Sequence, residues 1–201
     1  MLKKAVRLLM LLSIVGWAGA AQATLITFDD LEVPGTSNSN LPSYSDQGFQ
    51  FVPEIVAFNA LASWHQGNGN YNTSAALFNN RTNGVTRLSA IDAALFDLVS
   101  IDLDTVYANN GPSPVEFRAY SSSNALVGTQ GLTLTSDGWT TLNFTPAFSG
   151  VSYVEWTQTS GYHQFDNVLI DEAAIPEPAT LALFGIGLAG LGFSRKKRKS
   201  A

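Results

Sequence analysis

Along DLVSIDLD the apolar side chains fall on alternate positions. Val99, Ile101 and Leu103 share one side of an extended chain, while Ser100, Asp102 and Asp104 share the other. The same period of two runs through VEFRAY, where Val115, Phe117 and Ala119 oppose Glu116, Arg118 and Tyr120. It returns in TLNF, with Leu142 and Phe144, and in SYVEW, with Val154 and Trp156. Such alternation predicts strands half buried in antiparallel sheets, and no stretch of the body carries a helical period instead. Turn chemistry separates the runs at short intervals: NNGPSP at 109–114, SSSN at 121–124, SDG at 136–138 and SG at 149–150. The pattern predicts an all-β fold, an antiparallel jelly-roll-like β-sandwich that buries alternate faces of two sheets. Trp139 and Trp156 read as core residues.

One stretch breaks the rhythm. Phe58 to Gly84 is rich in Asn, Gly and Ser, and predicts long loops at one end of the sandwich around a short strand at Ala75 to Phe78.

Two longer apolar runs lie at the ends. Lys3, Lys4 and Arg7 precede an apolar core from Leu8 to Ala20, and Ala21-Gln22-Ala23 follows with small residues, the layout of a cleavable secretory signal. At the other end, Ala179 to Phe193 would form a helix of about 23 Å, short against a hydrocarbon core of about 30 Å. Gly185, Gly187, Gly190 and Gly192 stud this transmembrane helix, and Arg195, Lys196, Lys197, Arg198 and Lys199 close it as a basic stop-transfer cluster held on the cytoplasmic side. The expected organisation is a signal peptide over 1–23, a β-sandwich over 24–174 and a C-terminal sorting segment over 175–201, with no second domain.

Setting the ends aside sharpens the charge. Between Thr24 and Ala174 only Arg81, Arg87 and Arg118 are basic, against fifteen acidic residues, a formal charge of −12. That body repels phosphate backbones and anionic lipid heads, which argues against a nucleic-acid partner. With no cysteine in the chain, thiol catalysis, thiolate zinc sites and disulfide staples are excluded.

Pro176, Glu177 and Pro178 stand directly before the short apolar run. Each proline fixes φ and lacks an N–H, so the tripeptide is extended and cannot prolong the helix backwards. Pro-Glu-Pro, a short Gly/Leu/Ala-rich span and a basic cluster, in that order over Pro176 to Lys199, resemble the PEP-CTERM sorting signal of Gram-negative bacteria. The resemblance implies processing by an exosortase, a multi-pass cysteine transpeptidase-like enzyme of the inner membrane. It also implies export, with the protein held transiently in that membrane and then carried to the cell surface or extracellular matrix, in a setting of exopolysaccharide and biofilm. There is no LPxTG-like motif for a sortase, and a plain tail anchor is the alternative reading. The body is similar to β-sandwich domains found ahead of such tails, on LITFDDL, YSDQGFQF and FDNVLID.

Two candidate sites follow from the residues. Ile26, Phe28 and Asp30 share one face of the first strand, and Asp166, Val168 and Ile170 share one face of the last. If those faces point inward, carboxylates at the core margin are costly, and a structural Ca2+ held by Asp29, Asp30 and Asp166, with Asn167 or backbone carbonyls, would relieve the cost. Both carboxylates facing water at strand ends is the other reading. In the loop region Trp64, His65 and Tyr71 lie among asparagines and offer stacking surfaces and amides for a sugar, or else they pin the loop to the sandwich. Tyr162 and His163 could line a groove at the loop end.

Catalysis finds little support. There is no G-x-S-x-G elbow, no H-E-x-x-H spacing and no recognisable carboxylate pair. The expectation is a non-catalytic structural or adhesive sandwich. A carbohydrate-binding module using the 64–72 loop is the alternative, and a polysaccharide-active enzyme is a third reading.

Overall fold

Strands with one wet and one dry side pair antiparallel, and every ladder among the described residues does so. The computed structural model describes residues 23–172 apart from 56, 108–111 and 136–137. The predicted signal peptide and the C-terminal segment with Pro176, Glu177, Pro178 and the basic cluster therefore lie outside the described residues.

Thirteen strands are described: β1 (Ala23–Ile26), β2 (Asn38–Leu41), β3 (Tyr44–Asp46), β4 (Phe49–Pro53), β5 (Leu61–Trp64), β6 (Phe78–Asn79), β7 (Val85–Ala90), β8 (Phe96–Thr105), β9 (Ser113–Tyr120), β10 (Leu126–Leu134), β11 (Thr140–Asn143), β12 (Tyr153–Thr157) and β13 (His163–Glu172). They form a four-stranded sheet in the order β1-β13-β8-β11 and a six-stranded sheet in the order β10-β9-β12-β7-β4-β3. A three-stranded sheet, β2-β5-β6, abuts the first through a bridge between Leu77 and Phe165.

The core lies between the sheets. Phe165 of β13 meets Phe51 of β4 at 5.6 Å and Trp156 of β12 at 5.0 Å between ring centroids. Phe28 completes the cluster at 5.6 Å from Phe165, edge to face. These edge-on and tilted contacts suit the ring quadrupoles.

Alternation holds in β9 and β12. Val115, Phe117, Ala119, Val154 and Trp156 are all buried, with Glu116 and Arg118 exposed. It fails in β8, where Phe96 and Leu98 point inward, then Ile101 and Leu103, while Val99 is only half buried. The cause is a change of register against β13: Asp166 faces Asp102, Leu169 faces Ser100 and Ile170 faces Leu98. One extra residue on each strand flips the facing partway along.

The region from Phe58 to Gly84 is more ordered than its composition predicts. It contributes β5 and β6, and Ala60, Ala62, Ala75, Ala76, Leu77 and Phe78 are buried. The short strand expected at Ala75 to Phe78 occurs at Phe78–Asn79. Trp156 is core, whereas Trp139 is half buried and donates its indole N–H to the Asn72 carbonyl at 3.0 Å. A carbonyl partner outside the core draws that ring to the surface.

Candidate functional site

The outer side of β8 and β13 carries a row of carboxylates that the 66–74 loop covers. Asp104 is buried and serves as an acceptor hub. Its Oδ1 takes the backbone N–H of Thr105 at 2.7 Å and of Gly138 at 2.8 Å, and its Oδ2 takes the Asn72 amide at 2.6 Å. Ionised hydrogen bonds of this kind are about twice as strong as neutral ones, which lets a buried carboxylate stay in place. Asp166 accepts from Ser74 Oγ at 2.6 Å and from the Asn167 N–H at 2.7 Å. Burial pushes its carboxyl upward in pKa, the charges of Asp29 and Asp102 add to that, and the two hydrogen bonds oppose it.

The three expected calcium ligands are used otherwise. β1 ends at Ile26, and a 3-10 turn over Asp29–Leu31 lifts Asp29 and Asp30 into solvent, so Asp30 does not continue the inward face of Ile26 and Phe28. Asp30 accepts from the Tyr44 hydroxyl at 2.7 Å, and Asp29 from Thr27 Oγ1 at 3.0 Å. Among the described residues, no three His, Asp or Glu side chains converge to hold a metal ion.

The three expected sugar contacts are each engaged in the fold. Trp64 stacks on Phe78 at 5.3 Å and 22° and meets the edge of Tyr107, as part of a small cluster with Ala62 and Val106. His65 Nε2 pairs with Ser39 Oγ at 3.1 Å. Tyr71 donates to Glu32 Oε1 at 2.5 Å, and that bond leads the effects that push its hydroxyl up to about 12. Tyr71 also lines a small polar pocket of about 150 Å3 together with Asn72, Asp104 and Gln164.

Tyr162 and His163 part company. Tyr162 sits at the loop end, its hydroxyl 2.8 Å from Thr82 Oγ1. His163 is fully buried, and neither ring nitrogen has a hydrogen-bond partner, so it does not line a groove. Desolvation drives its pKa down to about 3, which keeps the ring neutral.

A further constellation was only half visible in the sequence. Glu116, Arg118 and Tyr120 share a face of β9, as alternation predicts, but their partners on β7 and β12 come from cross-strand pairing. Glu155 stands opposite both Arg87 and Arg118. Arg87 binds Glu155 at 2.6 Å, and its guanidinium lies 4.2 Å from the centre of the Tyr153 ring. The period-two reading of SYVEW could have pointed outward to Tyr153 and Glu155 as it pointed inward to Val154 and Trp156.

Comparison with known proteins separates the tail from the body. Residues 174–197 are a PEP-CTERM protein-sorting motif. The motif implies processing by an exosortase, and PEP-CTERM proteins are exported and sorted to the cell surface. The sandwich resembles a DUF4465 family protein from Bacteroides caccae, with a TM-score of 0.55 at 12% identity, covering 75% of this chain and 99% of that one. A family 29 carbohydrate binding module is similar at a TM-score of 0.42 and 15% identity, over 80% of this chain and 97% of that one. The CBM22-1 xylan-binding domain from Paenibacillus barcinonensis Xyn10C gives 0.42 and 11%, over 70% of this chain and 99% of that one. At these identities the likenesses bear on the fold alone. No curated protein matches the sequence.

Proposed function

We propose that this chain is a surface or extracellular-matrix protein of a Gram-negative bacterium, exported by its N-terminal signal and released from the inner membrane by an exosortase. Its sandwich serves as a non-catalytic structural or adhesive element, linked to exopolysaccharide or biofilm. The carrying observation is the sorting motif at residues 174–197. Within it, Pro176, Glu177 and Pro178 are the tripeptide that the membrane peptidase reads, and the basic residues from Arg195 to Lys199 stay on the cytoplasmic side. The segments divide at 1–23, 24–174 and 175–201, and the non-sequential strand order is read as a jelly-roll variant.

The test is mass spectrometry of the C-terminus of protein isolated from its native cells. A mature end upstream of the apolar run supports the proposal. A chain still ending at Ala201 in cells with an active exosortase overturns it.

A second reading rests on a separate observation. The pocket lined by Tyr71, Asn72 and Asp104 gives the 64–72 loop a polar recess that would suit one sugar hydroxyl cluster. Glycan binding lost on Tyr71→Ala at unchanged melting temperature would favour it.

A further inference from the structure

Strand register gathers polar and aromatic side chains on the outer face of the six-stranded sheet. Arg87, Glu155 and Arg118 stand side by side across β7, β12 and β9. One pair along, Tyr153 lies between Ser89 and Tyr120, and the two tyrosine rings stack at 4.6 Å and 13°. Arg87 lies 4.2 Å from the centre of the Tyr153 ring, so Arg87, Tyr153 and Tyr120 form a continuous row of half-exposed rings and charge across the face.

Beside the row the face sinks into a groove of about 460 Å3, lined by Glu116, Arg118, Gly131, Thr133, Thr157 and Thr159. Gly131 stands opposite Glu116, and a Cβ there would lie 2.5 Å from the Val115 carbonyl oxygen. A larger residue at that position would force the β9 backbone beside the recess to shift. Glu116 Oε1 and Arg118 Nε meet at 2.7 Å with both side chains more than half exposed.

Sheet stabilisation by cross-strand pairing accounts for the Arg87–Glu155 ion pair and the tyrosine stack. It does not account for a recess of ligand size in which three threonine hydroxyls and an ion pair stand beside apolar Pro114, Val115 and Leu132. Threonine hydroxyls both donate and accept, a guanidinium only donates and a carboxylate only accepts. Together they match a ligand that is covered in hydroxyl groups. Charge narrows the class further. Both arginines are already neutralised by glutamates, and the body around them carries −12, so a polyanion would be repelled.

We propose that this face binds a neutral glycan chain, with one sugar ring seated in the Glu116–Arg118 groove and its neighbours running along the Tyr120–Tyr153 row. The proposal gives the adhesive reading above a surface and a ligand class, and rests on that reading. It is tested apart from it, because binding by unprocessed protein does not depend on what happens at the C-terminus.

The full chain, purified in detergent, is applied to an array of neutral and uronate-bearing glycans, and hits are titrated by calorimetry. Binding to a neutral oligosaccharide is expected, with at least tenfold weaker affinity for Arg118→Met and for Thr133→Trp, which fills the groove. Leu25→Ala, at an exposed position of β1 on the four-stranded sheet, should leave affinity unchanged. Both groove positions are exposed, and melting temperature controls for folding. The proposal is overturned if no neutral glycan binds, if uronate-bearing chains bind as tightly, or if affinity survives both groove substitutions.

Discussion

Asn167 donates its side-chain amide to Asp102 on the neighbouring strand at 2.9 Å, while its own backbone sits at φ 47° inside the β13 bulge. The two features depend on each other. A left-handed residue that is not glycine is tolerated best when a short polar side chain can bond locally, and asparagine meets both needs. Asn167→Val should cost about 2–4 kcal/mol, from strain at a β-branched residue with positive φ together with the lost bond. Asn167→Gly should cost less, since only the bond is lost. Urea titrations of the two variants would show that order, and a reversed order would remove the bulge from the account.

His163 predicts an acid-sensitive core. Its folded pKa of about 3 lies below the ordinary value of 6.5, so the unfolded chain takes up a proton that the folded chain refuses. The contribution is fully present above pH 6.5 and is lost as pH falls towards 3, by up to about 1.4 kcal/mol per unit. Asp166 acts in the opposite sense, because its raised pKa favours the folded state as it protonates. His163→Phe should therefore flatten the decline of unfolding free energy between pH 6.5 and 4. It should cost little at neutral pH, since an orphaned polar ring is replaced by an apolar one. Parallel stability curves for the two proteins would contradict a buried neutral imidazole.

The period of two made β9 and β12 legible, because each stays in one register along its length. In β8 and β13 the same reading put Val99 on the wrong side, since a bulge adds a residue without altering the apolar content of the sequence. Of its two strands, the 58–84 region hid β5 behind its asparagines and glycines and showed only β6, displaced from its expected place. Their burial depends on Leu77 and Phe78 reaching partners on β13 and β5, which no local pattern encodes. Asp30 was misplaced for a similar reason, as the strand ended at Ile26, four residues before it, and a 3-10 turn took over at Asp29. The sorting motif was fully legible because it is linear and needs no fold to be recognised.

Trp64 gives a prediction that separates packing from binding. Its ring stacks on Phe78 and meets Tyr107, within a cluster apart from the main core. Trp64→Ala should lower stability by about 2–4 kcal/mol, and Trp64→Phe should recover most of that loss. If Trp64→Ala left the melting temperature unchanged while abolishing glycan binding, the ring would be a ligand platform and not a pin for the loop.

Calcium should leave the fold unmoved. Asp29, Asp30 and Asp166 each already hold an internal donor, from Thr27, Tyr44 and Ser74. A metal that bound only the folded chain would raise its stability in proportion to the logarithm of its concentration. Thermal melts of the chelator-treated protein, with and without millimolar Ca2+, should coincide. A rise in melting temperature that Asp166→Asn removes would establish a site despite these bonds.

Asp104 is the residue on which the loop side of the sandwich most depends. It joins β8 to the 66–74 loop through Asn72 and to the turn before β11 through Gly138, and the bond from Trp139 to the Asn72 carbonyl closes the circuit. Asp104→Ala would remove the acceptor of the Asn72 amide and of the Gly138 N–H, each loss costing about 1–3 kcal/mol. Asp104→Asn keeps the shape but turns one acceptor into a donor that faces the amides of Asn72 and Gln164 or the N–H of Gly138 and Thr105. The asparagine variant should therefore be nearly as destabilised as the alanine one. Hydrogen exchange should quicken at Gly138 in both, while the Arg118 face keeps its protection. Rescue of stability by asparagine would mean that shape, and not charge-assisted acceptance, holds this loop.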